Sequence, residues 1–108
     1  LNNLQDIFIQ NGFKVTNEGS KSIEFEHSLM NEVIYLLPNI EITIVRSPEK
    51  IEEKPELIND NIRKNHNTSF KKFPKKRNKG KSPIHYGYAF KFQSPQELST
   101  FLYTLNKN

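Results

Sequence analysis

The sequence predicts a single α+β domain over residues 1–108. Its expected architecture is a mainly antiparallel sheet of about five strands, with an N-terminal and a C-terminal helix packed on one face. Three observations carry this expectation. Residues 32–37 (EVIYLL) and 40–46 (IEITIVR) are two β-branched runs divided by Pro38-Asn39, as in a hairpin. Residues 84–92 (IHYGYAFKF) alternate, so that Ile84, Tyr86, Tyr88, Phe90 and Phe92 share one side of a strand. Finally, Ser94-Pro95-Gln96-Glu97 has the form of a helix-opening capping box, followed by Leu98, Phe101, Leu102 and Leu105 at helical spacing.

The elements follow in order. Leu1, Leu4, Ile7 and Phe8 fall on one face of a short helix over residues 1–12, and Gly12 suits the positive-φ position that ends it. A strand begins near Phe13–Val15, and Asn17-Glu18-Gly19-Ser20 supplies turn chemistry. Ile23 and Phe25 alternate with Glu24 and Glu26, which reads as a half-buried strand, and residues 27–31 form the next turn. Residues 47–82 are a helical or mobile excursion. Ser47-Pro48 opens a short helix, Pro55 breaks it, and Leu57, Ile58 and Ile62 suggest a second helix over residues 56–64. Phe70 and Phe73 anchor the basic stretch that follows, and Asn78-Lys79-Gly80 turns the chain into the strand at 84–92. On that strand the large apolar side chains form a core face under the last helix. His85, Gly87, Ala89 and Lys91 form the other face, where small residues admit a ligand or another backbone.

Composition narrows the function. Ile, Leu, Val and Phe make up 31 of 108 residues, above the level of a disordered chain. No apolar run is long enough to span a bilayer, so no membrane partner is expected. The first residues lack the basic segment and apolar core of a secretory signal, which favours a cytoplasmic location. With no cysteine, disulfides, thiolate zinc sites and cysteine nucleophiles are excluded. No glycine-rich phosphate loop occurs, and no metal or other cofactor is expected.

Charge is the most informative feature. Residues 1–60 hold 5 basic and 11 acidic side chains, whereas residues 61–108 hold 11 basic and 1 acidic. No carboxylate occurs between Asp60 and Glu97, an interval with ten Lys or Arg residues. Seven of these, Lys71, Lys72, Lys75, Lys76, Arg77, Lys79 and Lys81, lie within eleven positions. Like charges so close need solvent, salt or an anionic partner. Glu24, Glu26, Glu32 and Glu41 are expected to alternate outward as a solvated acidic face.

Residues 75–105, with the basic run, Gly87-Tyr88-Ala89-Phe90 and the helix opened by Ser94-Pro95, locally resemble the second half of an RNA recognition motif domain. That resemblance implies base stacking by Tyr88 and Phe90. The chain departs from the motif at Tyr86, Lys91 and Gln93.

Together these features point to a small nucleic-acid-binding module for RNA or DNA, using Lys71, Lys72, Lys75, Lys76, Arg77, Lys79, Lys81, His85 and Lys91. One alternative is a protein-interaction or regulatory domain, in which opposed acidic and basic surfaces form a homo-oligomer. A third reading is a metal-independent ribonuclease pairing His85 with Lys91 or Arg77.

Overall fold

Ten residues of alternating polarity make the strand on which the sheet is organised. In the computed structural model, which describes residues 3–59, 61–77, 79–80 and 82–107, this strand (β7, Pro83–Phe92) pairs with three others. The elements before it are α1 (Asn3–Gln10), β1 (Phe13–Glu18), β2 (Ile23–His27), β3 (Val33–Leu36), β4 (Ile42–Arg46), α2 (Pro48–Glu52), a 3-10 turn (Pro55–Leu57), β5 (Arg63–His66) and β6 (Lys75–Arg77). Helix α3 (Pro95–Asn106) follows β7. The strand order is β1-β2-β3-β4-β7-β5, with β6 added to β7, and every pairing is antiparallel.

The architecture is the α+β class expected, but it has seven strands rather than about five. The two extra strands, RKNH and KKR, come from the excursion at 47–82 and carry no apolar alternation that would announce them. The second helix expected at 56–64 does not form. Instead, Asn59 Oδ1 accepts from the Asn61 amide at 2.7 Å and its carbonyl accepts from Ile62 at 3.1 Å, a side-chain-stabilised turn that redirects the chain into β5.

Helices α1 and α3 cover one face of the sheet. Phe8, Leu98 and Leu102 are buried there against Phe13, Phe25, Ile34, Leu36 and Ile44. Phe90 and Phe92 meet Phe101 at ring-centroid distances of 5.5 and 5.3 Å. Two local devices hold the ends as predicted. Ser94 Oγ accepts from the Glu97 amide at 3.2 Å, although the returning Glu97 carboxylate takes the Gln93 amide rather than that of Ser94. Gly12 adopts φ +89°, and a side chain there would also strike the His27 ring. His27 itself is structural: its Nε2 bonds Asn106 Oδ1 at 2.7 Å, and its Nδ1 accepts from the Leu29 and Met30 amides.

The opposite face is covered by the chain between β5 and β6. The Asn67 amide bonds the carbonyl of His85 and the Tyr86 amide bonds the carbonyl of Pro74, both at 3.0 Å. Adjacent residues of β7 thus point to opposite edges, so residues 67–74 cross the strand from one edge to the other. The crossing buries Phe70 and Phe73 against Tyr35, Val45 and Ala89. The phenyl groups lie 4.9 and 4.8 Å from the Tyr35 ring. Each such contact contributes about 0.5–1.5 kcal/mol beyond its buried area.

Gly87 lies beneath this crossing. A Cβ on it would stand 2.5 Å from the Arg46 carbonyl oxygen, 2.6 Å from Val45 Cγ1 and 2.9 Å from Phe73 Cε2. The small residues of β7 therefore admit the protein's own chain at Gly87. Gly87→Ala is expected to lower stability by about 1–3 kcal/mol, the usual range for overpacking, and so to lower Tm by at least about 4 °C. Gly19→Ala, whose added Cβ meets only Ser22 O at 3.5 Å, is the control. Equal melting temperatures for the two variants would refute the close packing.

Candidate polyanion-binding surface

The cations of the basic run do not share one fate. Lys72 lies on the crossing segment, and its Nζ reaches Glu24 at 3.3 Å and Glu26 at 3.2 Å. Its backbone amide bonds the Tyr35 hydroxyl oxygen at 3.0 Å, and that hydroxyl donates to Glu24. Glu24 also accepts from Thr16 at 2.7 Å. Burial alone would raise the Glu24 pKa, but the hydrogen bonds from Tyr35, Thr16 and Lys72 hold it below the usual carboxylate range. Burial and the Glu24 carboxylate push the Tyr35 hydroxyl well above its ordinary range.

The solvated acidic face expected from alternation is therefore only partly present. Glu24 and Glu32 are 4% and 5% exposed. Glu32 accepts two hydrogen bonds from the Arg46 guanidinium, at 3.1 and 3.2 Å. The crossing segment covers Glu24, whereas Glu32 lies on the helical face with Arg46, whose guanidinium sits over Phe90 and Phe101; buried carboxylates require such partners. Glu26 and Glu41 stay accessible.

His85 and Lys91 are also engaged. The Nδ1 of His85 bonds the Phe73 carbonyl at 2.6 Å, so the ring helps tether the crossing. Lys91 Nζ lies 3.5 Å from Glu41. Six residues of strand separate His85 from Lys91, about 20 Å, too far for the two to act on one bond. Tyr88 and Phe90, whose stacking on bases the family resemblance implies, face inward. Tyr88 is 4% exposed, and Phe90 packs on the helical core.

The remaining cations gather around the first half of β7. Lys75, Lys76 and Arg77 on β6 are exposed, and none has a carboxylate within 4 Å among the described residues. Register sets Lys76 opposite Ile84, and Lys75 and Arg77 opposite His85 and Pro83 on the other face. On the far edge of β7, β5 presents Lys64 and His66 on the face of Tyr88 and Tyr86, and Arg63 on the face of Ala89. Lys71 is exposed on the crossing segment and Lys79 in the turn before β7, at φ +53°. Lys81 lies outside the described residues. Lys64 and His66 fall outside the basic run, and only the pairing of β5 with β7 brings them to the face of Lys76; Arg63, on the same strand, turns to the other face.

Tyr86 is the point of convergence. The ammonium groups of Lys64 and Lys76, from strands on opposite edges of β7, each lie 5.8 Å from the centroid of its ring. His66 stacks on the same ring at 5.7 Å. Below it, helix α2 is opened by Ser47, whose Oγ accepts from the Glu49 amide, and it carries Ile51 into contact with Tyr86 and Tyr88. Glu52 Oε2 accepts from both tyrosine hydroxyls, at 3.1 and 2.9 Å. Burial, then the Glu52 carboxylate, pushes the Tyr88 hydroxyl up to about 12. Both tyrosines are thereby kept as neutral donors, and Tyr86 is a fixed platform rather than a stacking surface for a ligand.

His66 Nε2 is buried and has no hydrogen-bond partner among the described residues. Burial, and then the nearby Lys64 and Lys76 charges, lower its pKa from the ordinary 6.5. Two like charges held over one ring with a neutral imidazole can neutralise an oxygen anion of phosphate type by charge-assisted hydrogen bonds. The described residues hold no group of three His, Cys, Asp or Glu able to bind a metal ion, and no helix long and apolar enough to cross a membrane. No family model matches this chain, and comparison with curated proteins and with solved structures yields no match either.

The lowered His66 pKa has a sign that can be checked. The unfolded chain binds the proton more readily than the folded one. The contribution of neutral His66 to stability is therefore complete above about pH 6.5 and is lost as pH falls below it, through the folded-state value. In an NMR titration, the His66 ring protons are expected to show a midpoint below 6.5, and Lys64→Ala or Lys76→Ala to shift that midpoint upward. A midpoint at or above 6.5 in the unmodified protein would contradict the arrangement.

Proposed function

We propose that this domain binds nucleic acid, RNA or DNA, through phosphate contacts made by the cations that flank the first half of β7. The observation that carries the reading is the convergence of Lys64 and Lys76 over Tyr86, with Lys75 and Arg77 exposed on the other face of β6. Bringing like charges together from separate strands raises electrostatic energy, and a polyanion relieves it while releasing its own counterions. The partition of carboxylates supports the same reading. Glu24, Glu26 and Glu32 are engaged at Lys72 and Arg46, so they do not screen β6. Lys72 accordingly drops out of the proposed contact set, and Lys64 joins it.

Binding of a fluorescent single-stranded oligonucleotide, measured against salt, tests the proposal. With about five phosphates engaged, log K against log salt should fall with a slope of roughly −3.5 to −4.5. Replacing Lys75, Lys76 and Arg77 together by Ser is expected to reduce that slope by about 2–3. Lys14→Ser, on the far edge strand β1, should leave it unchanged. A slope insensitive to the triple change, or equally sensitive to both, would reject this surface as the site.

A further inference from the structure

A second feature lies where β5, β7 and the β3–β4 turn meet, on the sheet face opposite Tyr86. It is a groove of about 710 Å³ lined by Glu41, Asn61, Arg63, Ala89, Lys91 and Gln93. That volume falls within the roughly 300–1,000 Å³ of small-molecule sites. Its floor is Ala89, 7% exposed, and no longer side chain could leave that space open. The side-chain amides of Asn61 and Gln93 stand on its walls. Their backbone amides are used, by Asn59 and Glu97, but neither carboxamide bonds another described residue. Among the described residues, Lys91 is held by the exposed contact to Glu41 at 3.5 Å, an exchangeable partner.

We infer that this groove receives one unpaired nucleotide, its base read by the carboxamides of Asn61 and Gln93 and its phosphate met by Lys91 and Arg63. The inference rests on the nucleic-acid reading above and specifies it further: the ligand is single-stranded. A carboxamide offers a donor and an acceptor side by side, which matches the edge of a base. In a duplex that edge is already paired, whereas single strands can splay a base into a pocket. Continuity along the chain favours the same ligand. Lys64 and Arg63 are consecutive on β5, the terminal strand of the sheet, and project to its two faces. A strand following this edge meets Lys64 on one side and the groove on the other.

The groove is tested apart from the cationic surface by titrating isotope-labelled protein with the four nucleoside 5′-monophosphates. Ribose 5-phosphate and inorganic phosphate are the comparison arms. At least one monophosphate is expected to shift the side-chain amide signals of Asn61 and Gln93 and the Ala89 methyl, with a Kd of about 1 mM or tighter. It should bind at least about fivefold more tightly than ribose 5-phosphate. The exposed double change Asn61→Ala with Gln93→Ala should remove that preference, while circular dichroism and the oligonucleotide salt slope stay as in the unmodified protein. Equal shifts from all phosphates would mean an anion contact without base recognition and would overturn the inference. So would shifts confined to residues around Tyr86, or none. In each of these cases the salt slope still decides the broader reading independently.

Discussion

The passage of residues 67–74 across β7 is the constraint on which the rest of the molecule depends. It is possible only because position 87 is glycine, so that Phe73 and the Arg46 carbonyl can approach a bare Cα. The crossing closes a second apolar core over Tyr35 and Val45 and takes Glu24 away from water. It also carries the chain from β5 on one edge of β7 to β6 on the other. Without it, Lys64 and Lys76 would not meet over the Tyr86 ring.

Electrostatics then sorts the lysines by where the crossing leaves them. Lys72 sits over β2 and is drawn to Glu24 and Glu26. Three residues further on, β6 has begun, and none of its cations has a carboxylate within 4 Å among the described residues. Tyr86 and Tyr88 are anchored through Glu52 to α2, and Lys64 and Lys76 approach the Tyr86 ring without an ion pair to a described carboxylate, Glu52 being bonded to the tyrosine hydroxyls. Glu24, Glu26, Glu32 and Glu52 are thus tied to partners within the fold, while Lys64, Lys75, Lys76 and Arg77 are left facing solvent.

How much of this was legible in the sequence depended on the range of the interaction. Ser94 caps α3, Gly12 takes a positive φ, and Phe70 and Phe73 anchor the basic stretch, all as local chemistry implies. The inward side of β7 follows from its period of two. By contrast, β5 and β6 escaped notice because RKNH and KKR contain nothing apolar. They are strands only because β7 offers both of its edges as partners. The outward reading of Glu24 and Glu32 failed for a related reason: alternation tells which face a residue takes, not whether another segment will cover it.

The sequence by itself determined the α+β class, the helices at either end and the excess of cations in the second half, since periodicity, capping and composition act over a few residues. Only the tertiary structure decided which cations remain available. Lys72 and Glu26 are 46 positions apart in the chain, and Lys64 and Lys76 reach one ring from opposite edges of β7. Ion pairing and convergence of this kind depend on distances in space, and those distances do not exist until the chain has crossed over Gly87.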